Sequence, residues 1–425
     1  MTALAEVNGT SDRVDLSTLE FWSAPEGERV AAFAALRQHD PVSRQEELEI
    51  PGLPLGPGYW ALTRHAEVVE ASRHPELFQS GKGTNIPDLP EFFNEMFGSM
   101  INMDAPRHSR LRLLVNRGFT PRMVAKLEGG VVARARQIVD EAGQLGECDL
   151  VPAVAAALPI QVICDMMGIP RSDHAGMLSL SNRILAGADP EYGGTVEDTV
   201  GAGMELYQYA MELGDTRRVE GGEPGDDITS ALVNAEVEGE RLTTQEFGSF
   251  FILLVVAGNE TTRNAISHAM YQLSVNPDQR RTWMDDFDGV APTAIEEIVR
   301  HATPVIHFRR TATADTVLGG QEIAAGDKVV LWYNSANRDE AVFDDPDRFD
   351  VRRTPNDHVA FGGGGPHFCL GAHLARREIK VMFSELFAHL PDIEASAEPS
   401  LLHSPFIHGV KHLPVTFTPK APRGE

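Results

Sequence analysis

Phe361-Gly362-Gly363-Gly364-Gly365-Pro366-His367-Phe368-Cys369-Leu370-Gly371 is the stretch on which the reading of this chain turns. Four consecutive glycines let a backbone bend tightly and come close to a flat ligand. Directly after Cys369, apolar residues at helical spacing predict a helix over Leu370 to Leu390. The partial positive charge and unpaired N–H groups of its first turn favour a thiolate at Cys369, and a thiolate so placed is a strong donor to iron. Two other readings compete. A glycine loop can cradle phosphate, although no G-K-[ST] follows. Cys369 could also be a nucleophile with His367 or His373 as its base, a chemistry that does not need the glycine run.

Outward from this loop, the longest helical signal lies in the middle of the chain. Thr243 and Glu246 form a capping box, and a largely apolar run continues from Phe247 until Asn276-Pro277 ends it. That is a helix of roughly 30 residues, about 45 Å long. Ala257-Gly258-Asn259-Glu260-Thr261-Thr262 interrupts its apolar pattern with a glycine and a carboxylate. Either Glu260 faces solvent and the threonines bond back to carbonyls one turn earlier, or the helix is distorted beside a cofactor with an acid and a hydroxyl placed to relay protons.

Most of the remaining chain reads as helix. Alternation predicts short strands at Tyr59 to Thr63, Leu318 to Gln321 and Lys328 to Tyr333, and a helix at His65 to Ser72. Phe78 to Asp104 reads as an oily loop region that packs on the core or lines an apolar cavity. No repeat or linker divides the chain. The expected organisation is a tail over 1–15, one unit over 16–419 and a tail over 420–425, with an exposed loop near Val219 to Asp227.

With 42% hydrophobic and 23% charged residues, the 425-residue chain can bury a sizeable core. Its formal charge of −25 disfavours nucleic acid as a partner. Three widely spaced cysteines, Cys148, Cys164 and Cys369, fit neither a disulfide framework nor a zinc site. Cys164 reads as a buried structural thiol, whereas Cys148 carries no functional reading. No secretory signal is visible, and the longest apolar run, Phe250 to Ala257, is far below the ~20 residues of a membrane span. A cytoplasmic location is expected.

Taken in order, these motifs resemble those of the bacterial, soluble cytochromes P-450, from about Phe21 to Phe417. The cysteine loop is similar to the family's haem-ligand signature, and Ala257 to Thr262 to its oxygen-activation signature. Glu297-Ile298-Val299-Arg300 matches the family's E-x-x-R pair, and Asp345-Pro346-Asp347-Arg348-Phe349 resembles the element whose arginine joins it. The resemblance implies a mainly α fold with small β-sheets and a long central helix over haem b. Cys369 would then be the axial ligand, with Gly371 beside the cofactor. His108, Arg112, Arg310 and His367 would hold the propionates, by the short charge-assisted bonds guanidinium makes to carboxylate; the plainer reading of His108 and Arg112 is a solvated basic face. Thr261 would hydrogen-bond the bound dioxygen and Glu260 would bring protons in. Glu297, Arg300 and Arg348 would form a structural network. Phe361 lies one residue farther from the cysteine than in the commonest signature, leaving open whether Gly362 covers the sulfur.

No flavin or iron–sulfur segment is present, so the resemblance implies electrons from NAD(P)H through ferredoxin and its reductase. Arg107, Arg110, Arg112, Arg117 and Arg122, with Arg376, Arg377 and Lys380, would offer a basic docking patch, unless they are scattered surface charge. Candidate pocket residues are apolar: Phe97, Met100, Ile101, Leu254, Ala257, Val305, Ile306 and Phe406. The sequence looks most like the group that hydroxylates terminal methyls of methyl-branched lipids and sterol side chains. A tailoring hydroxylase of macrolides or terpenoids is the alternative; a peroxygenase or decarboxylase, which typically has Arg where this chain has Glu260-Thr261, and a haem sensor are further rivals.

Overall fold

The central helix runs from Thr244 to Val275, and its 32 residues follow the capping box read from the sequence. The Thr243 hydroxyl accepts from the Glu246 N–H, and the Glu246 carboxylate accepts from the Thr243 N–H at 3.0 Å. The computed structural model describes residues 14–118, 121–185, 189, 191, 195–218, 225–237 and 239–420. Residues 1–13 and 421–425 of the expected tails, and 219–224 of the expected loop, lie outside the described residues.

Other helices pack around this rod. Ala157–Met167, Val196–Arg217, Phe287–Ala302 and Ala372–His389 all touch it, and they share one core cluster. Gly258 explains itself here. A Cβ at that position would lie 2.7 Å from the Ile163 side chain, so the glycine lets two helices approach closely. The helix is continuous through Glu260 to Thr262.

The main sheet has five strands, in the order Val42–Gln45, Tyr59–Leu62, Lys328–Trp332, His307–Ala312 and Phe78–Gln79. Only the pairing of Tyr59–Leu62 with Lys328–Trp332 is parallel. Lys328–Trp332 is buried along its whole length, as a strand covered on both faces must be. Gly319 and Gly320, both with positive φ, turn the hairpin between Thr316–Leu318 and Gln321–Ile323.

The oily region after Phe78 is more ordered than a loop. It forms the helix Glu91–Gly98 and the 3-10 turn Ser99–Asn102, both packed on the central helix. Met96, Met100 and Met103 are its buried inner face, whereas Phe92 is exposed; Pro and Gly at its flanks disguise the element.

Candidate active site

The helix after the cysteine loop begins at Ala372, two residues later than its apolar spacing predicts. Cys369 sits just before it. Its thiol is accessible yet surrounded by protein: burial pushes its pKa up, while the N–H groups of Gly371 and Ala372 and the guanidiniums of Arg112 and Arg376 pull it down. The sulfur is thus prepared for a cation but not ionised by the protein alone, which fits a metal ligand. The Cys369 N–H donates to Phe361 O at 2.9 Å and closes the loop.

The glycines serve the protein as much as any ligand. A Cβ on Gly363 would lie 2.6 Å from Ser72 Oγ, and one on Gly365 2.3 Å from Ser72 O, so the loop lies against the end of the helix His65–Arg73. Gly362 has φ +101°, and a Cβ there would make only ordinary contact with His367 O and Phe368 Cα, at 3.7 and 3.8 Å. The Phe361 ring instead lies under Arg376, 4.4 Å from its guanidinium carbon.

Next to the thiol the chain gathers basic side chains. His108 and His367 have ring centroids 4.3 Å apart, and Arg112 Nη2 donates to Phe368 O at 3.0 Å. Arg310 is buried and donates only to Arg309 O. No acidic side chain forms an ion pair with Arg112, His108, Arg310 or His367 among the described residues, and His108 Nε2 is buried without a partner. Asp104 is near, but its oxygens are taken by the N–H groups of Ser80 and Gly81, each at 2.8 Å. Desolvation, then the charges of Arg310, His108 and Arg112, push His367 down to about 2. Buried positive charge without a counter-ion is costly, so the cluster is built for an anion. A porphyrin with two propionates beside a thiolate-bound iron meets both demands.

On the central helix, Thr261 is only partly buried. Its neighbours one and two turns back, Ala257 and Leu254, keep accessible surface in the middle of an otherwise buried helix. Thr261 Oγ1 donates back to Ala257 O at 2.9 Å, as one of the two sequence readings allowed. Glu260 does not face solvent. It is 1% exposed, and its Oε1 accepts from Arg263, by a very short contact, and from Asn264 at 3.1 Å, while Oε2 has no partner.

Two sequence expectations need correction. Arg348 is 58% exposed on its side chain and reaches only Asp350; its carbonyl accepts from Arg300. The arginine that joins Glu297 and Arg300 is Arg353, whose Nε lies 3.2 and 3.1 Å from the two Glu297 oxygens. Arg300 itself makes a bidentate pair with Glu297 at 2.7 and 2.8 Å. Ile306 does not join the pocket candidates either. It is 2% exposed and packs with Trp22, Phe33 and Trp332, whereas Val305 and Phe406 keep accessible surface. Phe97 packs against Gly203 and Met100 is buried in the main core, while Ile101 is half-buried.

The basic patch is less free than its sequence suggests. Arg107 pairs with Glu95, Arg110 with Glu246, Arg376 with Glu296 and Lys380 with Asp288. The side chains of Arg117 and Arg122 lie outside the described residues.

The comparison with known proteins decides the family. Residues 199–391 match the family described as Cytochrome P450. A Mycobacterium tuberculosis (strain H37Rv) protein named methyl-branched lipid omega-hydroxylase is 50% identical, over 98% of this chain and 99% of its own. The chain belongs to the cytochrome P450 family. As a cytochrome P450 it is a haem-dependent monooxygenase, and its mainly α fold with small sheets is the family's. A Mycolicibacterium smegmatis steroid C26-monooxygenase is 41% identical over 92% of this chain and 90% of that one. The solved structure of a Mycobacterium marinum cytochrome P450 in complex with pseudoionone superposes with a TM-score of 0.90, at 43% identity, covering 97% of this chain and all of that one. No described helix is long and apolar enough to cross a membrane.

Proposed function

We propose that this cytochrome P450 hydroxylates the terminal methyl of a methyl-branched lipid or sterol side chain. The observation that carries this reading is the near-full-length 50% identity to a methyl-branched lipid omega-hydroxylase, alongside the steroid C26-monooxygenase at 41%. Apolar surface at Leu254, Ala257, Val305 and Phe406, with few fixed polar groups among them, suits such a chain.

In this reading residues 16–419 act as one catalytic unit. Cys369 holds haem b through its sulfur, with Gly371 and Ala372 N–H groups tempering the thiolate's electron donation. Arg112, His108, Arg310 and His367 hold the propionates. When bound, haem supplies reductive activation of O2 and transfer of one oxygen atom to a C–H bond, the other leaving as water. Thr261 presents a hydroxyl on the accessible face of the central helix. Glu260 stores a proton route behind it: release from Arg263 and Asn264 frees its carboxylate to carry protons toward that hydroxyl.

Electrons from NAD(P)H arrive through ferredoxin and its reductase in the cytoplasm. Arg377, which has no acidic partner among the described residues and no role at the cofactor, is a cation left for that docking. The deciding experiment supplies ferredoxin, its reductase and NADPH with a methyl-branched fatty alcohol, cholestenone or a macrolide precursor, and identifies products by mass spectrometry. Terminal hydroxylation of the first two supports the proposal. Turnover of the macrolide precursor alone would replace it with a tailoring role.

A further inference from the structure

Arg29 lies on the helix Glu26–His39, one turn after its start, and is 8% exposed. Among the described residues its side chain makes no hydrogen bond and no ion pair, and its Nε is fully buried without an acceptor. A guanidinium does not give up its proton in a protein, so this is a buried charge that the surrounding side chains leave unmatched. Burial lowers its pKa, and Glu26 opposes that only from beyond ion-pair distance.

The charged groups around it are otherwise provided for. Arg37, on the same helix, holds Glu340 through Nε at 3.1 Å and Nη2 at 2.7 Å. Arg338 Nη2 donates to His301 O at 3.3 Å, and the same guanidinium lies 3.4 Å from Asp347 and 3.8 Å from Glu26. Its Nη1 is left over among the described residues. Glu26 is nearest to His408, at 3.5 Å.

These residues surround a cavity of about 30 Å³, which Ile306 and Asn334 help to close. Three guanidiniums and a single carboxylate face it. Asn334 is the second unmatched group, with its Oδ1 buried and lacking a donor. Turning the amide over would present N–H in its place. One water needs about 10–15 Å³, so the cavity admits a monatomic ion or a water or two and is too small for phosphate. Water would solvate Arg29 without neutralising it, whereas a small anion would do both.

The cavity also sits at a junction. Ile306 N donates to Phe406 O at 2.8 Å, and Ile306 O accepts from Tyr333 N at 2.9 Å, so the C-terminal loop and the end of the strand Lys328–Trp332 meet the N-terminal helix there. We propose that Arg29, Arg338 and Asn334 bind one chloride-sized monovalent anion, which matches the buried charge of Arg29 and pins the helix Glu26–His39 to this junction.

The test follows thermal unfolding of the haem-loaded protein in sodium chloride and in sodium gluconate at equal ionic strength, gluconate being too large to enter. Crystals grown in sodium bromide supply an anomalous difference map. Chloride should raise Tm by about 2 °C or more over gluconate, with a dependence that saturates, because only the folded chain offers the site. Bromide should give an anomalous peak within hydrogen-bond reach of Arg29. Arg29→Met keeps the volume and removes the charge, so its Tm should be the same in both salts and no lower than that of the unaltered protein in gluconate. Should that variant not fold, the bromide map of the unaltered protein decides. Equal Tm values for the unaltered protein in the two salts, a chloride effect that survives in Arg29→Met, or a bromide map without a peak in this cavity would overturn the proposal.

Discussion

Thr261 and Glu260 are neighbours in sequence that do different work, because a helix turns about 100° between them. Thr261 faces the accessible side and Glu260 a buried polar pocket held by Arg263 and Asn264. Thr261→Ala should therefore keep haem while diverting reducing equivalents to hydrogen peroxide; full coupling of NADPH oxidation to product in that variant would refute its role. The Glu297 site allows a sharper contrast. Removing Arg353 leaves part of a fully buried carboxylate uncompensated and should cost about 3 kcal/mol in chemical denaturation, whereas Arg348→Ala should stay within about 0.5 kcal/mol. Equal losses would restore Arg348 to the network. The mistake is instructive: both arginines lie in an aperiodic turn, and only the three-dimensional path of that turn brings Arg353 back to Glu297. The place of Cys369 just ahead of a helix, by contrast, was legible, because the glycine run and the apolar spacing after it are local signals.

At the scale of elements, the central helix was legible at both ends, since a capping box and Asn276-Pro277 are local signals. Its middle was not. Gly258 is set by Ile163 of another helix, a contact that no spacing along its own helix encodes. The helix Glu91–Gly98 was likewise hidden. A third concealed feature joins the cysteine helix to the central helix. Glu378 is buried, both its oxygens lack a hydrogen-bond partner of good geometry, and burial pushes its pKa up to about 8 against a smaller downward pull from the Thr262 hydroxyl. A carboxyl whose folded pKa is raised favours folding fully below its unfolded value near 4.5 and loses that advantage as pH rises toward 8. Glu378→Gln should accordingly stabilise the protein at pH 8, by on the order of 3 kcal/mol, and hardly at all near pH 4.5. Thermal unfolding at the two pH values measures this; a variant destabilised at pH 8 would show that the carboxylate is ionised and paired.

Across the whole molecule, a run of histidines is buried where the N-terminal helix Glu26–His39 meets the C-terminal loop. His268 and His408 stack with centroids 4.0 Å apart, and His408 Nδ1 contacts Ala302 O at 2.6 Å. Desolvation holds His268 at about 3 and His307 at about 4, and lowers His301 and His408 as well. The facing groups are Glu26, Arg29, Arg338 and Arg300, and the Arg338 guanidinium helps hold the Glu26 carboxyl below its usual range. These histidines fold neutral and would charge on unfolding, so their contribution is complete above their unfolded pKa near 6.5 and is lost as pH falls below it. Glu26 acts in the same direction but only below about pH 4.5, where its lowered carboxyl begins to lose the stability it contributes at higher pH. Tm should drop steeply from pH 6.5 to 5 with proton uptake on unfolding, and His268→Phe should flatten that slope; a Tm indifferent to pH there would contradict the neutral assignment. The −25 charge and the apolar content spoke for a sizeable globular fold, but they could not show that Arg107, Arg110 and Arg376 of the candidate docking patch are already paired within the protein.

The central claim is that Cys369 ligates haem iron. The reduced, carbon monoxide-treated protein should show the strongly red-shifted Soret band of a thiolate-bound haem, and Cys369→Ser should lose that band. A protein that takes up no haem, or a Cys369→Ser variant that keeps the shifted band, would contradict it.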